Sequence, residues 1–447
     1  MKNFFRCILS LLLFIPLITA DFSSCALPTR EKSSGFATTE RISDTVCSED
    51  SSDGSGKYIP LNYDNMKAMW LSQYDMYQIY RDGNFQRDKA DFTLRINKVM
   101  RNISSLGVNT VIVQLRPNAD SMYISELFPM SEYVVGSYGK IPQYDPFEIL
   151  LAAAHSEGLS VHAWINPLRC MSESKMSLTG ANYTISRWYN DPYLCGKYII
   201  PVSGTLYLNP AYKEVRQLII DGICEIAGKY DIDGVHIDDY FYPTVSESFD
   251  HEAYASYTES GGTLPLDEYR REQINTLIRG IYSAVKETDK GLIFGISPGG
   301  NMDTNYNILY ADVYKWCSEI GYTDYICPQV YFGFEHSYFP FDDVCNTFSE
   351  MIKCDNIRLI IGITLDKAYK GADGTEDVWA GDGKREWIEH RDIVAKSIAF
   401  TKTLEKCSGV SLFSYQHFFD PLTGAQVDKT YDEVSAFLPL FRNTVWC

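Results

Sequence analysis

From Lys67 onward, short apolar runs of strand length alternate with longer stretches of helical period. The runs are Ala68–Leu71, Asn109–Gln114, Leu159–Ile165, Gly234–Asp238, Leu292–Ile296, Tyr325–Val330, Leu359–Ile363 and Val410–Phe413. Between them, Ile96, Met100, Ile103 and Leu106 share one helical face, as do Val215, Leu218, Ile219, Ile223 and Ile226, and Ile274, Leu277, Ile281 and Val285. Further helices are expected at 146–157, 310–320, 343–353 and 387–405. Eight such alternations predict an α/β chain closed into a (β/α)8 TIM barrel, a single catalytic domain over 61–447. A doubly wound open sheet would need a Gly-rich phosphate turn after strand one, and the sequence has none.

The N-terminus reads as an export signal. Lys2 and Arg6 precede an apolar run from Ile8 to Ala20, too short for a stable membrane span. A signal peptide is expected over 1–20, with cleavage after Ala20. The alternative is lipidation at Cys25, after Phe22-Ser23-Ser24. Residues 21–60 are rich in Ser, Thr, Asp, Glu and Gly and read as a linker. The expected location is therefore secreted or cell-surface, with membrane contact only through an N-terminal lipid. The net charge of −18, with no Lys/Arg-rich run, opposes a phosphate backbone and excludes nucleic acid as partner. The 12 Cys are scattered without zinc spacing; Cys170 and Cys195, in one long loop, are the candidate disulfide.

In a barrel of this kind, chemistry sits at the C-terminal ends of the strands, and side chains alternate between interior and helix layer. In strand four, Val235 and Ile237 face the helices, so His236 and Asp238 face inward, with Asp238 at the mouth. The same alternation aims His162, Trp164 and Asn166 inward from strand three, Gln114 and Arg116 from strand two, Ser297 from strand five, and Gln329 and Tyr331 from strand six. Barrel interiors are normally apolar, so polar groups converging at one end point to a binding site.

Glycosidic cleavage needs one protonated and one ionised carboxyl. Asp238 is the best-placed carboxylate. Asp239 is adjacent, but alternation turns it away, toward a loop-supporting role. Glu335, past strand six, is expected to reach across the mouth; Asp75 and Asp366 stand in reserve. Trp164, Tyr240, Tyr331 and Phe332 are expected to wall a groove for sugar rings, which suits a chain that is 14% aromatic with 32 Tyr. The competing reading is a metal-assisted hydrolase with His162, His236, Asp238 and Asp239 gathered at one point, but the histidines lie deep and no strand carries an HxH pair. No GxSxG elbow is present for a serine nucleophile. The reading calls for no cofactor and no metal.

Five ordered stretches then resemble one family. They are Val113-Gln114-Leu115-Arg116-Pro117-Asn118-Ala119-Asp120, His162-Ala163-Trp164-Ile165-Asn166-Pro167-Leu168-Arg169, Leu208-Asn209-Pro210, Asp233-Gly234-Val235-His236-Ile237-Asp238-Asp239-Tyr240-Phe241 and Pro328-Gln329-Val330-Tyr331. They are similar to motifs of the glycosyl hydrolase-like 10 family of bacterial exported proteins. The resemblance implies a (β/α)8 barrel acting on a bacterial-type glycan such as peptidoglycan strands. It implies Asp238 and Asp239 as catalytic positions, surrounded by Arg116, Asn166, Gln329 and Tyr331. The full candidate set is catalytic Asp238, Asp239 and Glu335, with Gln114, Arg116, Asn118, His162, Trp164, Asn166, His236, Tyr240, Gln329 and Tyr331 binding a glycan. The alternative is a carbohydrate-binding barrel without catalysis.

Overall fold

The computed structural model describes residues 58–446. The expected signal peptide, Cys25 and nearly all of the linker lie outside them. Eight strands alternate with helices: β1 (Met66–Leu71), β2 (Thr110–Arg116), β3 (Ser160–Ile165), β4 (Gly234–Ile237), β5 (Ile293–Ile296), β6 (Tyr325–Ile326), β7 (Arg358–Thr364) and β8 (Cys407–Phe413). Each pairs in parallel with the next, and β1 pairs with both β2 and β8, which closes the barrel. The principal helices are α1 (Lys89–Ser105), α2 (Pro146–Ser156), α3 (Lys213–Lys229), α4 (Leu266–Thr288), α5 (Val313–Ser318), α6 (Phe341–Met351), α7 (Ile393–Thr401) and α8 (Tyr431–Asn443). Among the described residues, no helix is long and apolar enough to cross a membrane.

Every run read as a strand is one, but β6 ends early. Pro328 has no N–H to continue the ladder, and pairing survives only as bridges from Gln329 to Gly299 and Gly362. The stretch 387–405 is not one helix. The Glu386 carboxylate accepts the backbone N–H of Phe334 and Glu335, which ties the turn Glu386–Glu389 to the β6 loop. His390 is extended, and α7 starts only at Ile393. Helix α8 went unread because Pro439 interrupts its pattern; burial of Val434, Phe437, Leu438 and Phe441 holds it in place.

The alternation of side chains holds along the strands. Val111, Val113, Val161, Ala163, Val235, Ile237, Ile361 and Ile363 are buried in the core beneath the helices. Met66, Ala68, Trp70, Ile112, Trp164, Tyr325, Cys327 and Ile360 form a separate cluster inside the barrel. This interior holds large aromatics because neighbouring strands carry glycine. A Cβ at Gly295 would lie 1.9 Å from the Tyr325 ring, and one at Gly234 would lie 2.8 Å from the His162 ring.

The opposite end of the barrel is closed by the segment preceding β1. Buried Asp233 accepts the Tyr58 hydroxyl at 2.6 Å, the Leu61 N–H at 2.5 Å and the Val161 N–H at 2.6 Å. After β3 the chain builds a small antiparallel sheet with Thr205–Leu208 central, between Arg169–Ser172 and Ile199–Val202. Cys170 lies on one outer strand, and Cys195 bridges to Ile199 at the start of the other. The central strand separates them, so the expected disulfide does not form and both are free thiols.

Candidate active site

Beneath the mouth lies a hydrogen-bonded layer. The Tyr325 hydroxyl sits 2.9 Å from Nδ1 of both His162 and His236, and the Trp70 indole N–H reaches His236 Nε2 at 3.4 Å. Since His236 Nε2 accepts, its Nδ1 carries the proton and donates to Tyr325, which in turn donates to His162 Nδ1. That order requires both rings neutral. Burial keeps them so: it lowers His162 to about 4, and holds His236 well below the usual histidine range, helped by His162. The two histidines do not line the open mouth as expected. They are 1% and 0% exposed and brace its floor. Both His236 nitrogens are engaged, and no group of three His, Cys, Asp or Glu side chains placed to hold a metal, as the competing reading would need, is found among the described residues.

Trp164 belongs to the same floor. It is 7% exposed, packed in the interior cluster and edge-on to His236, so it does not form an open groove wall. Trp164→Ala is therefore expected to lower unfolding free energy by about 3–5 kcal/mol. Chemical denaturation showing a loss below about 1 kcal/mol would contradict this placement.

Above the floor sits Asp238. Its Oδ2 accepts the Asn166 amide at 2.7 Å; Asn166 Oδ1 accepts Gln114 Nε2 at 2.8 Å; Gln114 Oε1 accepts the Gln73 backbone N–H at 2.8 Å. This relay across β4, β3, β2 and the turn after β1 fixes each amide's orientation and the carboxyl's plane. Asp238 Oδ1 has no hydrogen-bond partner. The Trp164 indole N–H lies close enough to favour the charged carboxylate, yet falls short of hydrogen-bond geometry and stays unpaired as well. Burial and the charge of Asp239 raise Asp238 well above the usual carboxylate range, against the pull of Trp164, the Tyr240 N–H and Asn166.

Asp239 was expected to turn away. Regular β4 pairing stops at Ile237, so alternation no longer governs the next residues. The Asp239 carboxyl lies beside the Gln329 amide and Gly299. Burial raises its pKa too, opposed by its own backbone N–H and by Gln329. Gln329 also donates to the Ser297 carbonyl at 3.1 Å, and the Ser297 hydroxyl is buried without a partner. Two consecutive carboxyls thus enter the mouth together.

The rim is aromatic. Tyr240 is 39% exposed, and the Arg169 guanidinium lies 5.2 Å over its ring. Tyr331 packs edge-on to Trp70 and against Phe413, and the charges of Asp239 and Asp238 add to burial in raising its phenol. Phe332 packs instead on Phe339 and His336. Sequence alternation missed Gln73, Arg169, Tyr74 and Tyr133, because they lie outside the barrel strands, in short helices after β1 and β2 and in the small sheet after β3. Arg169 stands three residues after Asn166 in the stretch His162–Arg169, and that proximity is its signal in the sequence.

Other expected positions fall elsewhere. Arg116 does not enter the mouth. Pairing slips so that Gln114 sits opposite Trp164 but Arg116 opposite Ile165, whose side chain faces the helices. This bulge sends Arg116 outward, 3.7 Å over the Phe128 ring and against Gly222 of α3. Asn118 lies in the loop after β2, where its N–H caps Asp120 at 2.9 Å. Glu335 does not reach the pair. Its N–H is tied to Glu386, and its carboxylate, 59% exposed, lies 3.8 Å from His390. Asp75 is consumed by Ser72, Ser414 and Gln416. Burial would raise Asp366, but His417 and Lys370 together hold it at about 2.

A closed parallel barrel with ionisable groups gathered at its C-terminal mouth makes this a (β/α)8-barrel protein of enzyme type. Residues 65–380 match the family described as glycosyl hydrolase-like 10, and the chain belongs to that family. It is similar to glycosyl hydrolase YngK of Bacillus subtilis (strain 168), 32% identical over 301 residues, or 63% of this chain and 57% of that one. It is also similar to glycosyl hydrolase DigH of Escherichia coli (strain K12), 30% identical over 339 residues, or 72% and 75% of the two chains. Among solved structures, the glycoside hydrolase domain of PgaB (BpsB) from Bordetella bronchiseptica superposes with TM-score 0.52 at 11% identity, covering 85% of this chain and 99% of that one. The catalytic domain of a β-amylase from Paenibacillus polymyxa gives TM-score 0.53 at 11% identity with the same coverage. At that identity the likeness is one of fold.

Proposed function

We propose that this chain is an exported hydrolase of glycosidic bonds in a bacterial-type polysaccharide, with peptidoglycan glycan strands as the substrate class. The observation that carries the reading is the pair Asp238–Asp239, side by side at the mouth, Asp238 buried and Asp239 half-buried, with both pKa values raised. Like charges on consecutive residues oppose a second ionisation, so between its two ionisations the pair holds one proton. Asp238 Oδ2 accepts the Asn166 amide while Oδ1 is unpaired, so Oδ1 is the oxygen left to carry that proton and to pass it to a leaving-group oxygen. Asp239 beside Gln329 supplies the ionised carboxylate that stabilises an oxocarbenium-like transition state as base or nucleophile. The exposed aromatic rim suits sugar rings. The similarity to the glycosyl hydrolases YngK and DigH supports a glycosidase class for the reaction.

The test is incubation of the full chain with glycan strands freed of peptides, beside a neutral homopolysaccharide, followed by mass spectrometry. Shortened peptidoglycan chains are expected. Intact glycan at high enzyme concentration contradicts the reading. Export is checked by N-terminal sequencing of the mature protein, expected to begin near Asp21 or at lipid-modified Cys25; Met1 on the mature protein contradicts it.

A further inference from the structure

Arg169 stands at the rim of the mouth without a counter-ion. It opens the small sheet after β3, paired there with Tyr207, so its backbone is fixed. Its half-buried guanidinium lies over the Tyr240 ring, and the phenols of Tyr240, Tyr207, Tyr74 and Tyr133 surround it closely enough to favour its charge. Among the described residues its side chain makes no ion pair and no hydrogen bond. Glu132, whose charge also reaches Tyr133, is already paired with Lys175. Arg169 lies over the Tyr240 ring, and the same phenol feels the charges of Asp238 and Asp239.

This is an unusual place for a free cation. In a chain of net charge −18, a guanidinium has many carboxylates to collect. Here tyrosine rings wall it off instead. Stacking on a ring face orients the guanidinium plane and leaves its N–H edge, with donors spaced for a carboxylate, unused. The acidic protein also repels an acidic polymer at long range, so one fixed cation at the rim is the local attraction such a polymer needs.

We propose that Arg169 receives a carboxylate borne by the glycan, which makes the substrate an acidic polysaccharide. This rests on reading the mouth as a glycan site. The carboxylate has two chemical sources, the lactyl ether of a 2-acetamido sugar or a hexuronic acid.

The test is calorimetric titration of the full chain carrying Asp238→Asn, so that binding is read without turnover. Three tetrasaccharide probes are used: one with lactyl carboxylates, the same one with those groups reduced to alcohols, and one containing hexuronates. The lactyl probe is expected to bind roughly tenfold tighter than its reduced form. Arg169→Gln added to this background is expected to erase the difference, and Arg169→Lys to keep part of it. If the hexuronate probe alone shows the Arg169 dependence, the carboxylate comes from a uronic acid and the proposal stands. Equal binding of all three probes overturns the role of Arg169 while leaving a glycan site intact. A preference that survives Arg169→Gln overturns it too. No binding of any probe overturns both the role and the glycan site.

Discussion

Asp238→Asn is expected to lower kcat/KM on glycan by roughly 10²–10⁴-fold, the usual worth of a positioned general acid. The loss should shrink sharply on an aryl glycoside, whose leaving group needs no proton. Asp239→Asn should abolish both activities, because the ionised carboxylate serves every substrate. The pH profile separates the roles. Turnover by the wild type should fall as pH rises through the raised pKa of Asp238, and this alkaline limb should vanish in Asp238→Asn. Stability moves in a related way. The native pair keeps its proton where the unfolded chain has released it, so this contribution is full below the ordinary carboxylate range and is lost as pH rises through the raised value. Asp238→Asn should therefore gain stability over the wild type near about pH 8 and not near about pH 4. An Asp238→Asn variant with wild-type kinetics on glycan would remove Asp238 from the chemistry.

The second large effect concerns the loop that follows the pair. Asp250 and Arg270 are both fully buried and joined by contacts of 2.6, 3.0 and 3.2 Å. The same guanidinium binds the carbonyls of Val245 and Ser246 and the Tyr310 hydroxyl, so it ties the stretch after β4 to the start of α4. Asp250→Ala strands a buried charge and is expected to cost about 3–5 kcal/mol. Replacing both partners with apolar residues of similar volume should recover much of that loss. Urea denaturation of the single and double variants measures both values. A cost under about 1 kcal/mol for Asp250→Ala would show that the pair does not organise this loop.

How far the sequence could be read follows from where periodicity applies. Along β3 and β4 the alternation placed His162, Trp164, Asn166, His236 and Asp238 on the correct face, because a paired strand has a fixed period. It failed wherever pairing breaks. One bulged residue in β2 sends Arg116 into the helix layer, and the end of β4 pairing brings Asp239 into the mouth. Depth was read for His162 and His236, which lie deep as the sequence implies, but not for Trp164, which is floor and not groove wall. Residues outside the barrel strands, such as Glu335 in a loop and Arg169 in the small sheet, do not follow the barrel's alternation. Their positions depend on distant partners such as Glu386 and Tyr207, which only the folded chain reveals.

The most direct test of the central claim is product analysis in ¹⁸O-labelled water, comparing the wild type with Asp239→Asn on glycan strands freed of peptides. Hydrolysis at the Asp238–Asp239 pair predicts shortened chains from the wild type, each new reducing end carrying one labelled oxygen, and unshortened chains from the variant. Unlabelled anhydro ends, or equal cleavage by the variant, would contradict the account.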